Sequence, residues 1–441
     1  MKKLSLKLIL AIAFLVSTCG TAAAADQRYI VRTTGGLLSV LNFCSAASCS
    51  VQGSLDGNVG QTYLVTSSQD LLANILNGAI SLLMNLLGIQ SVERDAILPL
   101  PHATIQQPAS GLSDTAPVNY YGAVVTRGYA AQPATFIIRL QDSQNGFGVH
   151  GSGIVADIDT GVDTTHPALV AVLLPGYDFT RNQPGASEWL DVSGLQNGPS
   201  NTSSQEQQPV VVQQSTAAVL DQSTAAVLDG SPYVAFGHGT MTAGLIHLIA
   251  PGAKILPLKA FSANGTASLS NIIAALYYAQ QHGANIVNMS FDLQTPSPAL
   301  TNAISYVNKK GVMLVASAGN ENTSARVYPA AFTGNVLGIA STTDYDTRSS
   351  FSNYGTADVW VGGPGENVVS TYPGATYGSS SGTSFSSPMV AGTLALMLNL
   401  KPGLTQSKAA SALTHARKLT PDLNYGRLDT YQALTAWSLS W

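Results

Sequence analysis

Charge is what this sequence has least of: Asp, Glu, Lys and Arg make up only 10% of its 441 residues, and the formal net charge is −4. That balance supplies no basic face for a nucleic acid and no polybasic run for an anionic lipid surface, so neither is expected as a partner. Cysteine is nearly as scarce. Of three, Cys44 and Cys49 form a spaced pair with no histidine nearby, too few ligands for zinc, and a disulfide closing a small loop is the simplest expectation. Apolar runs long enough to cross the roughly 30 Å hydrocarbon core of a membrane are missing too. The run from Leu8 to Val16 is too short, and residues 71–89 carry Asn74, Gly78, Ser81 and Asn85 at i, i+4, i+7 and i+11. Such a polar stripe along one face predicts a packed amphipathic helix.

What is present begins with a basic start (Lys2, Lys3), the short apolar run and a small-residue tract ending at Ala25, the pattern of a secretory signal peptide over residues 1–25. A membrane anchor and, at Cys19, a lipoprotein signal are the competing readings. Export predicts a secreted, extracellular or periplasmic protein with no membrane association once the signal is removed. The length suffices for one large domain plus a smaller one without oligomerisation, and a monomer is expected.

Residues 28–43 read as a hairpin turning at Gly35 and Gly36, followed by the 71–89 helix and a strand-like stretch over 89–100. Together they suggest a small α+β module, and the Pro-, Ser- and Gln-rich residues 101–120 read as a linker. Beyond it, short apolar strands (within 151–163, 253–261, 284–291, 311–320 and 336–342) alternate with helices over 268–283 and 298–311. Alternation of this kind predicts an α/β fold, a mostly parallel sheet between helices, with a site at the carboxyl ends of its strands. Residues 183–235 interrupt the pattern with a polar, low-complexity stretch that contains QSTAAVLD twice in succession, at 214–221 and 222–229. A surface insertion is the expected reading.

Four segments carry reactive side chains among glycines and small residues: VADIDTGVD (155–163), GHGTMTAGL (237–245), ASAGNEN (316–322) and GTSFSSPMVAG (382–392). A serine hydroxyl is a weak nucleophile unless a base takes its proton, and Ser384 opens a segment that reads as a buried helix, whose positive end also favours developing negative charge. Pro388 is placed near that helix's first turn, where its missing N–H costs least. His238, between two glycines at a helix start, is the base candidate. Asp157 and Asp159 stand on the same face of one strand, so periodicity alone leaves the acid undecided. Asn320 offers a side-chain amide.

In this order the segments resemble those of subtilisin-type serine peptidases over about residues 125–434, with IAPGAKILPLKAF (249–261) and LNYGRLDTYQAL (423–434) extending the match. The resemblance implies a three-layer subtilisin-like domain over 116–441 and a propeptide with linker over 26–115. It implies an exported endopeptidase that cuts protein or peptide substrates through a Ser384 acyl-enzyme and processes its own precursor, the propeptide serving as intramolecular inhibitor or chaperone. By the same resemblance Asp159, just before the Thr-Gly turn, is the acid, His238 the base and Asn320 the oxyanion-hole amide, while Ser290 and Phe291 belong to the edge against which an extended peptide lies. No cofactor is implied. The HPDL tract that supplies a calcium ligand in the family reads His166, Pro167, Ala168, Leu169 here, so no metal is expected. Two further departures are Asp157, at a position usually apolar, and Asp292, where the family commonly has glycine; Asp292 would narrow the cleft, favour basic side chains or stand solvated in a loop. The competing classes are a catalytically silent binding protein on the same fold and a membrane-anchored peptidase.

Overall fold

The computed structural model describes residues 26–76, 79–100, 110–192, 210–211 and 233–440. The signal-peptide reading, residues 101–109 of the linker and both QSTAAVLD copies lie outside these residues. Among the described residues no helix is long and apolar enough to cross a membrane. The chain divides into two compact units, residues 1–96 with 297–299, and 97–296 with 300–441.

In the smaller unit, β1 (Gln27–Thr33), β2 (Ser50–Ser54), β3 (Thr62–Ser67) and β4 (Ile89–Arg94) form an antiparallel sheet in the order β2-β3-β1-β4, with helices α1 (Gly36–Ala47), α2 (Leu71–Leu76) and α3 (Ala79–Leu87). The expected 28–43 hairpin is therefore corrected: its second half is α1. Val40, Phe43, Cys44 and Ala47 are buried at i, i+3, i+4 and i+7, a helical period that outweighs the turn signal of Gly35 and Gly36. Cys44 and Cys49 form a disulfide across the end of α1. Of the helix expected over 71–89, Leu71–Leu76 and Ala79–Leu87 are helical among the described residues.

The larger unit is built on an eight-stranded sheet. Its central strands β6 (Ile154–Asp159), β7 (Lys254–Lys259), β9 (Ile286–Met289), β10 (Met313–Ser317), β11 (Val336–Thr342) and β12 (Val361–Pro364) are parallel, in the order β7-β6-β9-β10-β11-β12. Beyond β7 lie Tyr177–Asp178 and Gln183–Pro184, the latter paired antiparallel. Helices α4 (His238–Ile249), α5 (Leu269–Gln281), α6 (Pro298–Lys309) and α7 (Thr383–Leu400) connect or cover the strands. Every residue of α4, and of α7 as far as Met397, is buried. Such all-round burial explains why these helices read as apolar without a polar face. The expected α/β architecture is thus observed. A short strand, β5 (Ile97–Pro99), pairs antiparallel with β8 (Thr266–Ser268).

Candidate active site

Asp159 ends central strand β6, and His238 is the first residue of α4. A parallel strand and the helix that packs on it bring a strand end and a helix start to the same rim of the sheet, although the two residues are 79 apart in sequence. Their approach depends on Gly239, where a Cβ would lie 2.0 Å from the Gly161 carbonyl oxygen. His238 Nδ1 is 2.6 Å from Asp159 Oδ1, which also accepts from the Thr160 backbone N–H at 2.7 Å. Burial pulls the imidazole down, but the carboxylates of Asp159, Asp157 and Glu188 prevail and leave His238 raised above 6.5. Its Nε2 is buried and has no hydrogen-bond partner.

Ser384 is the second residue of α7, inside the positively polarised first turn. Its hydroxyl donates to the Ser290 carbonyl at 3.3 Å. The acid and base are joined, then, while nucleophile and base are not; such bonds commonly close only when substrate is bound. Pro388 stands inside the second turn of α7, a correction to its expected place. A proline there withholds the N–H that would bond the carbonyl of Ser384. Ser290 Oγ supplies the missing donor at 3.0 Å, and Asn288 Nδ2 in turn donates to Ser290 Oγ at 3.0 Å and to Asp157 Oδ1 at 2.9 Å.

Asp157 accordingly has an account that its sequence position did not provide. Its other oxygen accepts from Thr242 Oγ1 at 2.7 Å, and the same hydroxyl is 3.4 Å from Asp159 Oδ2. Burial, reinforced by the charge of Asp159, holds the Asp157 carboxyl above the ordinary range. Glu188 completes the acidic surround. Its carboxylate accepts from Thr160 Oγ1, from the Gly239 N–H at 3.2 Å and from Thr240 Oγ1 at 2.7 Å, and burial pushes it up to about 7.

Asn320 follows Gly319 in the loop after β10. Its Oδ1 accepts from both the backbone N–H and the hydroxyl of Thr383, each at 2.9 Å. With two donors on the oxygen, the amide orientation is determined, and Nδ2 is left buried without an acceptor. Ser290 and Phe291 are fully buried, main chain included, the Phe291 ring lying 5.4 Å from that of Phe261, so the structure presents neither to a peptide. Asp292 is not a solvated loop residue: it is 5% exposed, and its Oδ2 has no partner. Ala168 is buried, and no group of three or more His, Cys, Asp or Glu able to hold a metal occurs among the described residues.

Several contributors were not singled out from sequence. Thr242, one turn after His238 on α4, had a periodic signal. Asn288 was hidden in an apolar strand, and Glu188 lay in the polar 183–235 stretch, whose first residues belong to the fold as Gln183–Pro184 and the 3-10 turn Glu188–Asp191. The edge strand Thr266–Ser268 was also unremarked, yet it receives Ile97–Pro99, and the Leu100 N–H donates to Gly265 O at 2.7 Å.

Residues 151–432 match the Peptidase_S8 model, described as the Subtilase family. Over 286 residues the chain is 33% identical to the Thermophilic serine proteinase of Bacillus sp. (strain AK1), covering 64% of this chain and 61% of that one. It is 30% identical to Thermitase of Thermoactinomyces vulgaris over 298 residues, covering 64% and 89%. In fold it is similar to fervidolysin from Fervidobacterium pennivorans, a keratinolytic enzyme related to subtilisin, with a TM-score of 0.67 and 22% identity over 95% of this chain and 62% of that one. The chain thus spans about three-fifths of the length of the first relative.

Proposed function

We propose, from the premise that this chain belongs to the subtilase family, that it is a serine endopeptidase working through an acyl-enzyme on Ser384. The observation that carries the reading is a pair of buried, unpartnered nitrogens: His238 Nε2 and Asn320 Nδ2. Leaving a buried polar group unsatisfied costs about 1–3 kcal/mol, and on this reading a reacting peptide satisfies both. His238 accepts the Ser384 proton as the hydroxyl attacks the peptide carbonyl, then delivers it to the leaving amine. Asp159, bonded to Nδ1, holds the tautomer and stabilises the imidazolium. Asn320 Nδ2, with the Ser384 backbone N–H, donates to the oxygen as it becomes negative. Water activated by the same histidine then releases the acyl group.

Export and self-processing belong to the same proposal. The signal-like residues 1–25 support export. The antiparallel seat of Ile97–Pro99 on Thr266–Ser268 supports a propeptide whose tail lies as an extended substrate does, since added strands are recognised through their backbone. Protein purified after expression of the full chain should hydrolyse a peptide library, and Ser384→Ala should hydrolyse none of it and retain the N-terminal module. A module removed from Ser384→Ala, with no other protease present, would refute self-processing; a library untouched by wild type would refute the peptidase.

A further inference from the structure

The oxyanion position between Ser384 and Asn320 fixes where the neighbouring side chain of a substrate must go. The carbonyl under attack is held by Asn320 Nδ2, and the residue that owns it starts its side chain two bonds away, on the acyl side of the scissile bond. Asn320 Oδ1 accepts from the Thr383 N–H and the Ser290 carbonyl receives the Ser384 hydroxyl, which sets the main chain flanking Asn320 and the segment that follows Ser290 beside the reacting serine.

Gly319 has no side chain, and the point its Cβ would occupy is bounded by the Asn353 amide, whose Nδ2 would lie 2.4 Å away, and by two carboxylates. A Cβ there would lie 2.7 Å from Asp292 Oδ2 and 2.7 Å from Glu321 Oε2, so the two oxygens abut the same point. Glu321 is exposed but braced: Asn353 Nδ2 donates to its Oε2 at 2.7 Å, and Asn353 Oδ1 accepts from the backbone N–H of Glu321 and of Thr323, each at 3.0 Å. Asp292 is buried, and its Oδ2 has neither donor nor cation. Burial, followed by the charge of Glu321, pushes the Asp292 carboxyl up to about 7. A buried carboxylate held next to another acid is the environment that a substrate cation relieves.

We infer that Asp292 and Glu321 form the acyl-side specificity site of this peptidase and that it takes a lysine or arginine side chain, the cation bridging Asp292 Oδ2 and Glu321 Oε2 above Gly319. The inference rests on the peptidase reading. Asp292 supplies the desolvated charge at the inner end; Glu321 supplies the screened one at the solvent side. A side chain of equal length without charge leaves Asp292 unrelieved, and a site with an unpaired buried group rejects such analogues strongly.

The test is a panel of coumarin peptides identical except for the acyl-side residue: lysine, arginine, norleucine and citrulline. The read-out is the ratio of kcat/KM for lysine over norleucine and for arginine over citrulline. Wild type is expected to show ratios of about 100 or more, D292N to lower them at least about tenfold, and E321Q to lower them less. Wild-type ratios near one, or ratios that survive D292N, overturn the assignment. If D292N does not accumulate, E321Q decides, and unchanged ratios there overturn it. Norleucine cleaved as well as lysine leaves the peptidase standing and removes only this site; no cleavage of any member, with no fluorophosphonate label on Ser384, removes both.

Discussion

Two parts of the candidate site treat buried acid in opposite ways. Around His238, three buried carboxylates are furnished with donors: Asp157 from Asn288 and Thr242, Asp159 from His238 and Thr160, Glu188 from Thr160, Gly239 and Thr240. Beside Asn320, Asp292 is buried with an oxygen that nothing satisfies. The first arrangement is complete without substrate and can hold an imidazole in one orientation. The second is complete only with a ligand, which is how a site rejects what does not neutralise it. Burial alone therefore separates nothing here; the donors around each carboxylate divide support from recognition.

The comparison is broken most severely at Asp159. Asp159→Asn keeps the shape but offers an amide to Nδ1, and kcat should fall by about 10⁴-fold while circular dichroism stays unchanged. Asn320→Ala removes the amide that Thr383 aims, and kcat should fall by about 100-fold or more with little change in KM, a magnitude carried over from subtilisin rather than obtained from these distances. A smaller effect sharpens the supported side. Asp157 raises His238, so Asp157→Asn should move the acid limb of the kcat/KM profile to lower pH by up to about one unit. In wild type that limb should lie above 6.5, because the base must be neutral and its charged form is favoured. A limb unmoved in Asp157→Asn would separate Asp157 from the base.

A further effect concerns stability. Glu188 and Asp292 have folded values pushed up to about 7, and Asp157 is raised as well. A raised carboxyl binds its proton more tightly folded than unfolded. The stabilisation is therefore complete below the unfolded value near 4 and is lost as pH rises towards about 7, by up to about 1.4 kcal/mol per pH unit for each group. Urea unfolding at pH 4 to 7 should show this decline, and D292N should flatten it.

Much of this was legible in the sequence because the signals were local. Apolar runs between small residues announced β6, β9, β10 and β11, and the residues around Ser384, His238 and Asn320 lay in segments whose glycines matter at specific contacts. Choosing Asp159 over Asp157 needed the resemblance, since both alternate onto one face; the structure then separates them by partner, His238 for one and Asn288 for the other. What was illegible is long-range. Ser290 serves Ser384 only because Pro388 withdraws a helical N–H, and Glu188 reaches the base from a polar stretch with no periodicity. The failed hairpin at 28–43 is a local conflict, in which a glycine pair suggested a turn and the buried period of Val40, Phe43 and Ala47 prevailed.

Intact-mass analysis after fluorophosphonate treatment tests the central claim most directly, because the reagent needs an activated serine and an oxyanion site together. The account predicts a single adduct, located at Ser384 and absent from Ser384→Ala. No adduct on folded protein freed of its N-terminal module, or an adduct that persists in Ser384→Ala, would contradict it.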